Sequence, residues 1–218
     1  MNPVLSELGQ AGLVPVIKID RPQDAVPLAE ALVGSGLPVM EITFRTAAAR
    51  EAIGRIAREV PAVVLGAGTV LTLEQAQEAV DAGARYVVSP GFHAGIVDWC
   101  VAHGIAVGPG VATPTEIMAV LGKGLAIMKF FPAEELGGVR MLKALAGPFS
   151  NVRFIPTGGI TAATLAEYLR LPNVFAAGGS WMVAPRLIAA GEFQEIARLA
   201  AEARRIVRQV GQEGAVAP

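Results

Sequence analysis

Eight short runs rich in β-branched and apolar residues punctuate this chain, each followed by a segment with helical periodicity. No other feature constrains the fold so tightly. The runs are 13–19, 38–44, 62–68, 85–89, 105–109, 125–131, 152–157 and 173–178. Helical patterns are clear over 24–35, 47–59, 72–82 and 161–171. Successive runs end roughly 20–30 residues apart, the length of a strand plus a crossover helix, which predicts parallel strands. Hydrophobic residues make up 53% of the 218 residues and charged ones only 17%. Most strands should therefore be covered on both faces, as in an α/β protein.

Eight βα units in a chain of this length fit a small single-domain (β/α)8 TIM barrel over residues 1–210. A doubly wound open sheet would want a Gly-x-Gly-x-x-Gly turn after the first strand, and none is present there. Residues 3–10 are expected to form a short helix closing the barrel bottom, and residues 211–218 a fraying tail. Thr113 before Pro114 reads as a helix cap, and Thr161-Ala-Ala-Thr164 after Gly158-Gly159 as another.

Composition removes several classes of function. Net charge is −1 and no basic block stands out, so no nucleic-acid partner is expected. Arg204, Arg205 and Arg208 have helical spacing and acidic company in Glu195 and Glu202, the pattern of a solvated helix face. The single cysteine, Cys100, reads as helix packing, and His93 and His103 match no zinc spacing. No metal or cofactor is expected. The N-terminus lacks the pattern of a signal peptide, and no apolar run reaches membrane-spanning length. The expectation is a cytoplasmic protein with no membrane partner.

One residue breaks the apolar pattern in a chemically suggestive way. Lys129 lies within Leu125-Ala-Ile-Met-Lys-Phe-Phe-Pro132. Burial disfavours the charged form of a lysine, and an amine kept neutral can attack a ketone to form a Schiff base. A lysine on an edge strand, with its stem packed and its head in water, gives the same local pattern.

Strand alternation lets other residues join it. One parity per strand brings Glu41, Arg45, Thr69, Lys129 and Thr157 towards a common axis at the C-terminal strand ends. Glu41 has the chemistry for proton transfer during imine formation, or could merely pair with Arg45 or Lys129. Arg45 has the planar fork that suits a carboxylate, and Thr69 a hydroxyl for the same group. Glycine-rich turns follow the last two runs, at Gly158-Gly159 and Gly178-Gly179-Ser180. Such turns bring backbone N–H groups close to an anion, and barrels often bind phosphate there.

The combined segments resemble the 2-keto-3-deoxy-6-phosphogluconate (KDPG) and 4-hydroxy-2-oxoglutarate (KHG) aldolase family of class I aldolases. They are Glu41-Ile-Thr-Phe-Arg45-Thr46, Gly66-Ala-Gly-Thr69-Val70, Ser89-Pro90-Gly91 and Pro109-Gly110. They continue with Lys129-Phe-Phe-Pro-Ala-Glu134, Gly147-Pro148-Phe149, Pro156-Thr157-Gly158-Gly159-Ile160 and Gly178-Gly179-Ser180-Trp181. The resemblance covers nearly all of residues 11–205. It implies a metal-free homotrimeric lyase with Lys129 as the Schiff-base residue and Glu41 as the proton shuttle. It further implies that Arg45 and Thr69 bind the pyruvyl carboxylate, and that Pro90, Phe131 and Thr157 line the pocket. Gly158, Gly159, Gly179 and Ser180 would hold the substrate phosphate, with Lys18 a further candidate or only a rim charge. The implied reaction cleaves KDPG to pyruvate and glyceraldehyde 3-phosphate. The alternatives are cleavage of KHG or of the galactonate epimer, a phosphosugar isomerase or epimerase, and a non-catalytic phosphosugar-binding barrel.

Overall fold

The computed structural model describes residues 2–216 and, among them, an α/β fold built on parallel strands. The strands are β1 (Leu13–Ile17), β2 (Val39–Thr43), β3 (Val64–Gly68), β4 (Tyr86–Val88) and β5 (Ala106–Gly108). They continue with β6 (Gly110–Val111), β7 (Ile127–Phe130), β8 (Arg153–Pro156) and β9 (Ala177–Gly179). A six-stranded sheet has the order β5-β4-β3-β2-β1-β9, and a three-stranded sheet the order β6-β7-β8. Every strand pair is parallel.

Each predicted run contains a strand, but two differ from expectation. The fifth run holds β5 but ends too early: past Pro109, which has no amide to donate to a ladder, pairing resumes as β6. The Pro109 carbonyl is still used, accepting from the Lys129 amide at 2.9 Å. The last run is expected over 173–178, yet the ladder is Ala177–Gly179, paired with Leu13–Pro15 of β1. Upstream of it the contact with β8 is the single bridge Phe154–Val174, and a second bridge joins Thr157 to Gly178. These bridges bring the free side of β8 against β9 and curl the sheet.

The helices are α1 (Pro3–Ala11), α2 (Ala25–Gly34), α3 (Ala49–Glu59), α4 (Leu73–Asp81) and α5 (Ala94–Ala102). After them come α6 (Pro114–Leu121), α7 (Gly138–Ala146), α8 (Leu165–Leu169), α9 (Pro185–Ala189) and α10 (Phe193–Val216). Alternation explains the burial. Met128 and Phe130 of β7 are fully buried, and the Phe130 ring meets Phe154 of β8 edge-on. The intervening Lys129 is aimed the other way, into the sheet's concave interior. Leu8 of α1 is buried and shares a small interior void with Val14, Tyr86 and Val88, so α1 covers the lower end of the sheet.

The caps partly invert the sequence reading. Thr113 heads a full capping box: its hydroxyl accepts from the Glu116 amide, and Glu116 accepts from the Thr113 amide. Thr72 also caps, accepting from the Gln75 amide. Thr161 does not. Its amide donates to the Thr164 hydroxyl in a local turn, and α8 begins only at Leu165. Arg204 departs from the solvated-face reading, because its guanidinium donates to the carbonyls of Gln10 and Ala11 at the end of α1. Glu195 and Glu202, the acidic company in that reading, pair instead with Arg198 on the surface. The segment read as a tail continues α10 through Val216, with Glu213 paired to Arg170; residues 217–218 lie outside the described ones. Among the described residues, no helix is long and apolar enough to cross a membrane.

Replacing Thr113 with Ala is expected to lower the unfolding free energy by about 1 kcal/mol, measured by denaturant titration. The amide of Ala112 and the Thr113 side chain and amide hold the Glu116 carboxyl below its ordinary value despite slight burial. A depressed carboxyl contributes stability above its unfolded pKa and loses it as pH falls through the folded one. The wild-type advantage over Glu116→Gln should therefore shrink as pH falls below about 4.5.

Candidate active site

At the C-terminal ends of the strands a cavity of ≈ 290 Å³ opens. Val16, Arg45, Thr69, Pro90, Lys129 and Phe131 line one part of it. Thr157, Gly158, Gly159, Ile160, Gly178, Gly179 and Ser180 line the rest. The convergence expected from strand parity is therefore present, together with Pro90, Phe131 and the two glycine turns.

Lys129 is buried to 6% exposure and Glu41 to 4%. The Nζ donates to Glu41 Oε1 at 3.3 Å and lies 5.3 Å from the centre of the Phe131 ring. The solvated-head reading of Lys129 is thereby excluded. Glu41 itself does not line the main cavity. It lies below, against a void of ≈ 20 Å³ that also touches Lys129, Thr157 and Tyr86.

Room for that carboxylate comes from β3. A Cβ on Gly68 would collide with the Glu41 carboxyl, and one on Gly66 would collide with the Tyr86 ring. Register explains both clashes, since β3 stands between β2 and β4. Tyr86 is fully buried, and its hydroxyl donates to the Met40 carbonyl at 2.8 Å. Burial, with the Glu41 charge as a second cause, pushes its phenol well above the ordinary value. It is therefore a neutral floor under Glu41 rather than a proton donor at neutral pH. Sequence reasoning missed Tyr86; Gly66, facing it across the ladder, was the available signal.

The remaining polar residues are held from the strand ends. Thr43 donates to the Ile17 carbonyl at 2.7 Å and accepts from Arg45 Nε at 3.0 Å, which anchors the guanidinium at the cavity rim. Arg45 has no carboxylate partner among the described residues, so its charge is available to a ligand. Thr69 has φ +54°, a left-handed conformation that costs a non-glycine residue of order 1–3 kcal/mol. The flanking bonds Phe44 N–H to Gly68 O and Val70 N–H to Val88 O fix it there. Lys18 is placed apart from these residues. It does not line the cavity, and its Nζ pairs instead with Asp20 at 2.7 Å, so its rim-charge reading is the one the geometry favours.

The two glycine turns present donors. The amides of Gly159, Ile160 and Ser180 donate to no protein acceptor among the described residues. Gly158 and Gly159 both have positive φ, at +106° and +77°. Unsatisfied N–H groups arranged around a concave wall form an anion nest. Elsewhere, burial pushes the Cys100 thiol up to about 11, in keeping with its packing role.

The model of the KDPG and KHG aldolase family matches residues 4–199 of this chain. The chain belongs to that family. The KDPG aldolase of Treponema pallidum is 50% identical over 207 residues, covering 95% of this chain and 99% of the relative. The KHG/KDPG aldolase of Escherichia coli is 46% identical over 191 residues, covering 88% and 90%. Among solved structures, the Zymomonas mobilis KDPG aldolase with 3-phosphoglycerate has a TM-score of 0.88 at 44% identity, covering 94% of this chain and 97% of that one. The Legionella pneumophila KDPG aldolase, with pyruvate captured as a covalent carbinolamine, has a TM-score of 0.88 at 41% identity, covering 91% and 96%.

Gly68→Ala is expected to destabilise this family member by about 1–3 kcal/mol through overpacking, read from denaturant unfolding. A crystal structure of the variant should show Glu41 moved off its 3.3 Å contact with Lys129.

Proposed function

We propose that this protein is a class I aldolase that cleaves KDPG to pyruvate and glyceraldehyde 3-phosphate through a Schiff base on Lys129. The observation that carries this reading is the buried Lys129–Glu41 contact at 3.3 Å, opening on a cavity with an unpaired arginine at one side and an amide nest at the other. Membership of an aldolase family supports it, as does the carbinolamine in the Legionella relative.

In this mechanism the Lys129 Nζ passes a proton to Glu41 across their contact and attacks the substrate C2 ketone. Glu41 returns the proton to the departing hydroxyl, so that water leaves and the protonated imine forms. Arg45 and Thr69 hold the carboxylate, which fixes the reacting bond in orientation. Glu41, directly or through a water, takes the C4 hydroxyl proton. The C3–C4 electrons flow into the imine, and glyceraldehyde 3-phosphate departs from an enamine. Protonation at C3 and hydrolysis then release pyruvate and restore the amine. Gly158, Gly159, Gly179 and Ser180 take the phosphate, while Pro90, Phe131 and Thr157 wall the pocket.

The same reading treats β5 and β6 as one strand interrupted at Pro109, which makes the two sheets a single eight-stranded barrel. The Phe154–Val174 and Thr157–Gly178 bridges support that closure. A cytoplasmic homotrimer without metal or cofactor belongs to the proposal, and sedimentation of the purified protein tests the assembly. The name of the Escherichia coli relative favours a second substrate, KHG. Comparing turnover of KDPG, KHG and the galactonate epimer decides preference among them.

The central test is borohydride reduction in the presence of pyruvate, followed by mass spectrometry of the modified peptide. Adduct mass on the peptide carrying Lys129 is expected, and Lys129→Ala should abolish it; trapping at the wild-type rate in that variant would sink the assignment. Glu41→Gln should fold and bind pyruvate but lose about 10²–10⁴ in kcat, the usual worth of a positioned acid–base group. Arg45→Ala should raise KM roughly ten- to a hundredfold, the cost of one charged hydrogen-bonding partner.

A further inference from the structure

Behind the Gly158-Gly159 turn lies a buried tyrosine that the catalytic scheme does not use. Tyr168 on α8 is 1% exposed, and its hydroxyl donates to Glu134 Oε1. Burial first, and the Glu134 hydrogen bond second, push the phenol above its ordinary value, so it remains a donor. Glu134 belongs to the segment after β7, and Tyr168 to the helix after β8, so the bond ties the two connections together.

The glycine turn lies between them. The Ala133 amide donates to the Thr157 carbonyl at 2.8 Å, and the Glu134 amide to the Gly158 carbonyl at 3.1 Å. A trans peptide points its C=O and N–H in opposite senses. Drawing the Gly158 carbonyl towards Glu134 therefore turns the Gly159 N–H, which shares that peptide unit, away from Glu134. This N–H has no protein acceptor among the described residues. The Glu134 stem also lies directly against Gly159, where a Cβ would collide with it. Gly138 completes the arrangement, since a Cβ there would collide with the Tyr168 hydroxyl.

We infer that the Tyr168–Glu134 pair is a positioning device for the phosphate end of the ligand. It fixes the backbone of Glu134, whose amide orients the Gly158–Gly159 peptide as an anion donor. Neither side chain touches substrate. The cavity lining has no cation besides Arg45 and Lys129, so recognition of a phosphate at this turn depends on amide direction. The inference rests on the proposed phosphate position, and its test is kept separate from the aldol chemistry.

Inorganic phosphate is the direct probe, titrated by calorimetry into the wild-type protein, Tyr168→Phe, Glu134→Gln and Glu134→Ala, each checked for a cooperative thermal melt. Tyr168→Phe and Glu134→Ala should weaken phosphate binding about five- to tenfold, as expected for loss of one hydrogen bond to a charged acceptor. Glu134→Gln keeps an acceptor for the phenol and the same stem, and should bind phosphate nearly as the wild type does. In kinetics, Tyr168→Phe should raise KM for KDPG with little change in kcat. Its turnover of unphosphorylated KHG and its borohydride trapping of pyruvate should stay at wild-type levels. The inference is overturned by unchanged phosphate affinity in Tyr168→Phe, by equal losses on KDPG and KHG, or by Glu134→Gln behaving like Glu134→Ala. Absence of phosphate binding in the wild type overturns it as well. Failure of pyruvate trapping would instead strike the Schiff-base assignment and leave the phosphate titration to decide this one.

Discussion

A lysine and a glutamate placed 3.3 Å apart inside a parallel sheet set the terms for everything around them. Two buried ionisable groups are tolerated only when each satisfies the other, and deleting one strands its partner. The surroundings bear the marks of that constraint. On β3, glycine faces Glu41 where a side chain would collide with the carboxylate, and another glycine makes room for the Tyr86 ring below. The Tyr86 hydroxyl is already committed to the Met40 carbonyl, so it does not compete for Glu41. Glycine in a strand weakens it through entropy and lost packing. Two of them in one short strand are explained by the Glu41 carboxylate and the Tyr86 ring that they accommodate.

Much of this was legible in sequence because it follows from simple periodicities. Eight β-rich runs predicted strand positions, and the polar residues stood out on strands that were otherwise apolar. Lys129 and Glu41 were visible as charges where none should be, and alternation placed them on the same side. The fifth run was ended at Pro109, because a proline at the end of an apolar run also fits a strand end, and β6 just beyond it was missed. The cap before α8 was misplaced for a competing local reason. Thr161 and Thr164 can each cap, and the turn they form together delays the helix.

What escaped the sequence were contacts between connections. Tyr168 and Glu134 are 34 residues apart, one on α8 and one in the segment after β7, and neither sits on a strand whose parity could be read. Lys18, a candidate only through the resemblance, is held elsewhere because Asp20 two residues on pairs with it. Parity predicts which face a side chain starts from, not which neighbour it meets. Long flexible side chains at strand ends are where that distinction matters most.

The two ends of the cavity offer an anion different kinds of partner, and the difference has a physical consequence. Arg45 offers a full positive charge on a side chain held by one hydrogen bond to Thr43. The glycine turns offer neutral dipoles fixed by backbone geometry. A full charge attracts any anion over several ångströms and tolerates small displacement. An amide nest acts only at contact and only if its N–H vectors converge. In the proposed reaction the carboxylate end must stay in register with Lys129 through several covalent changes, and a strong, adaptable partner suits that task. The phosphate end undergoes no chemistry and leaves with the aldehyde, so a weaker and more directional site holds it without retaining the product.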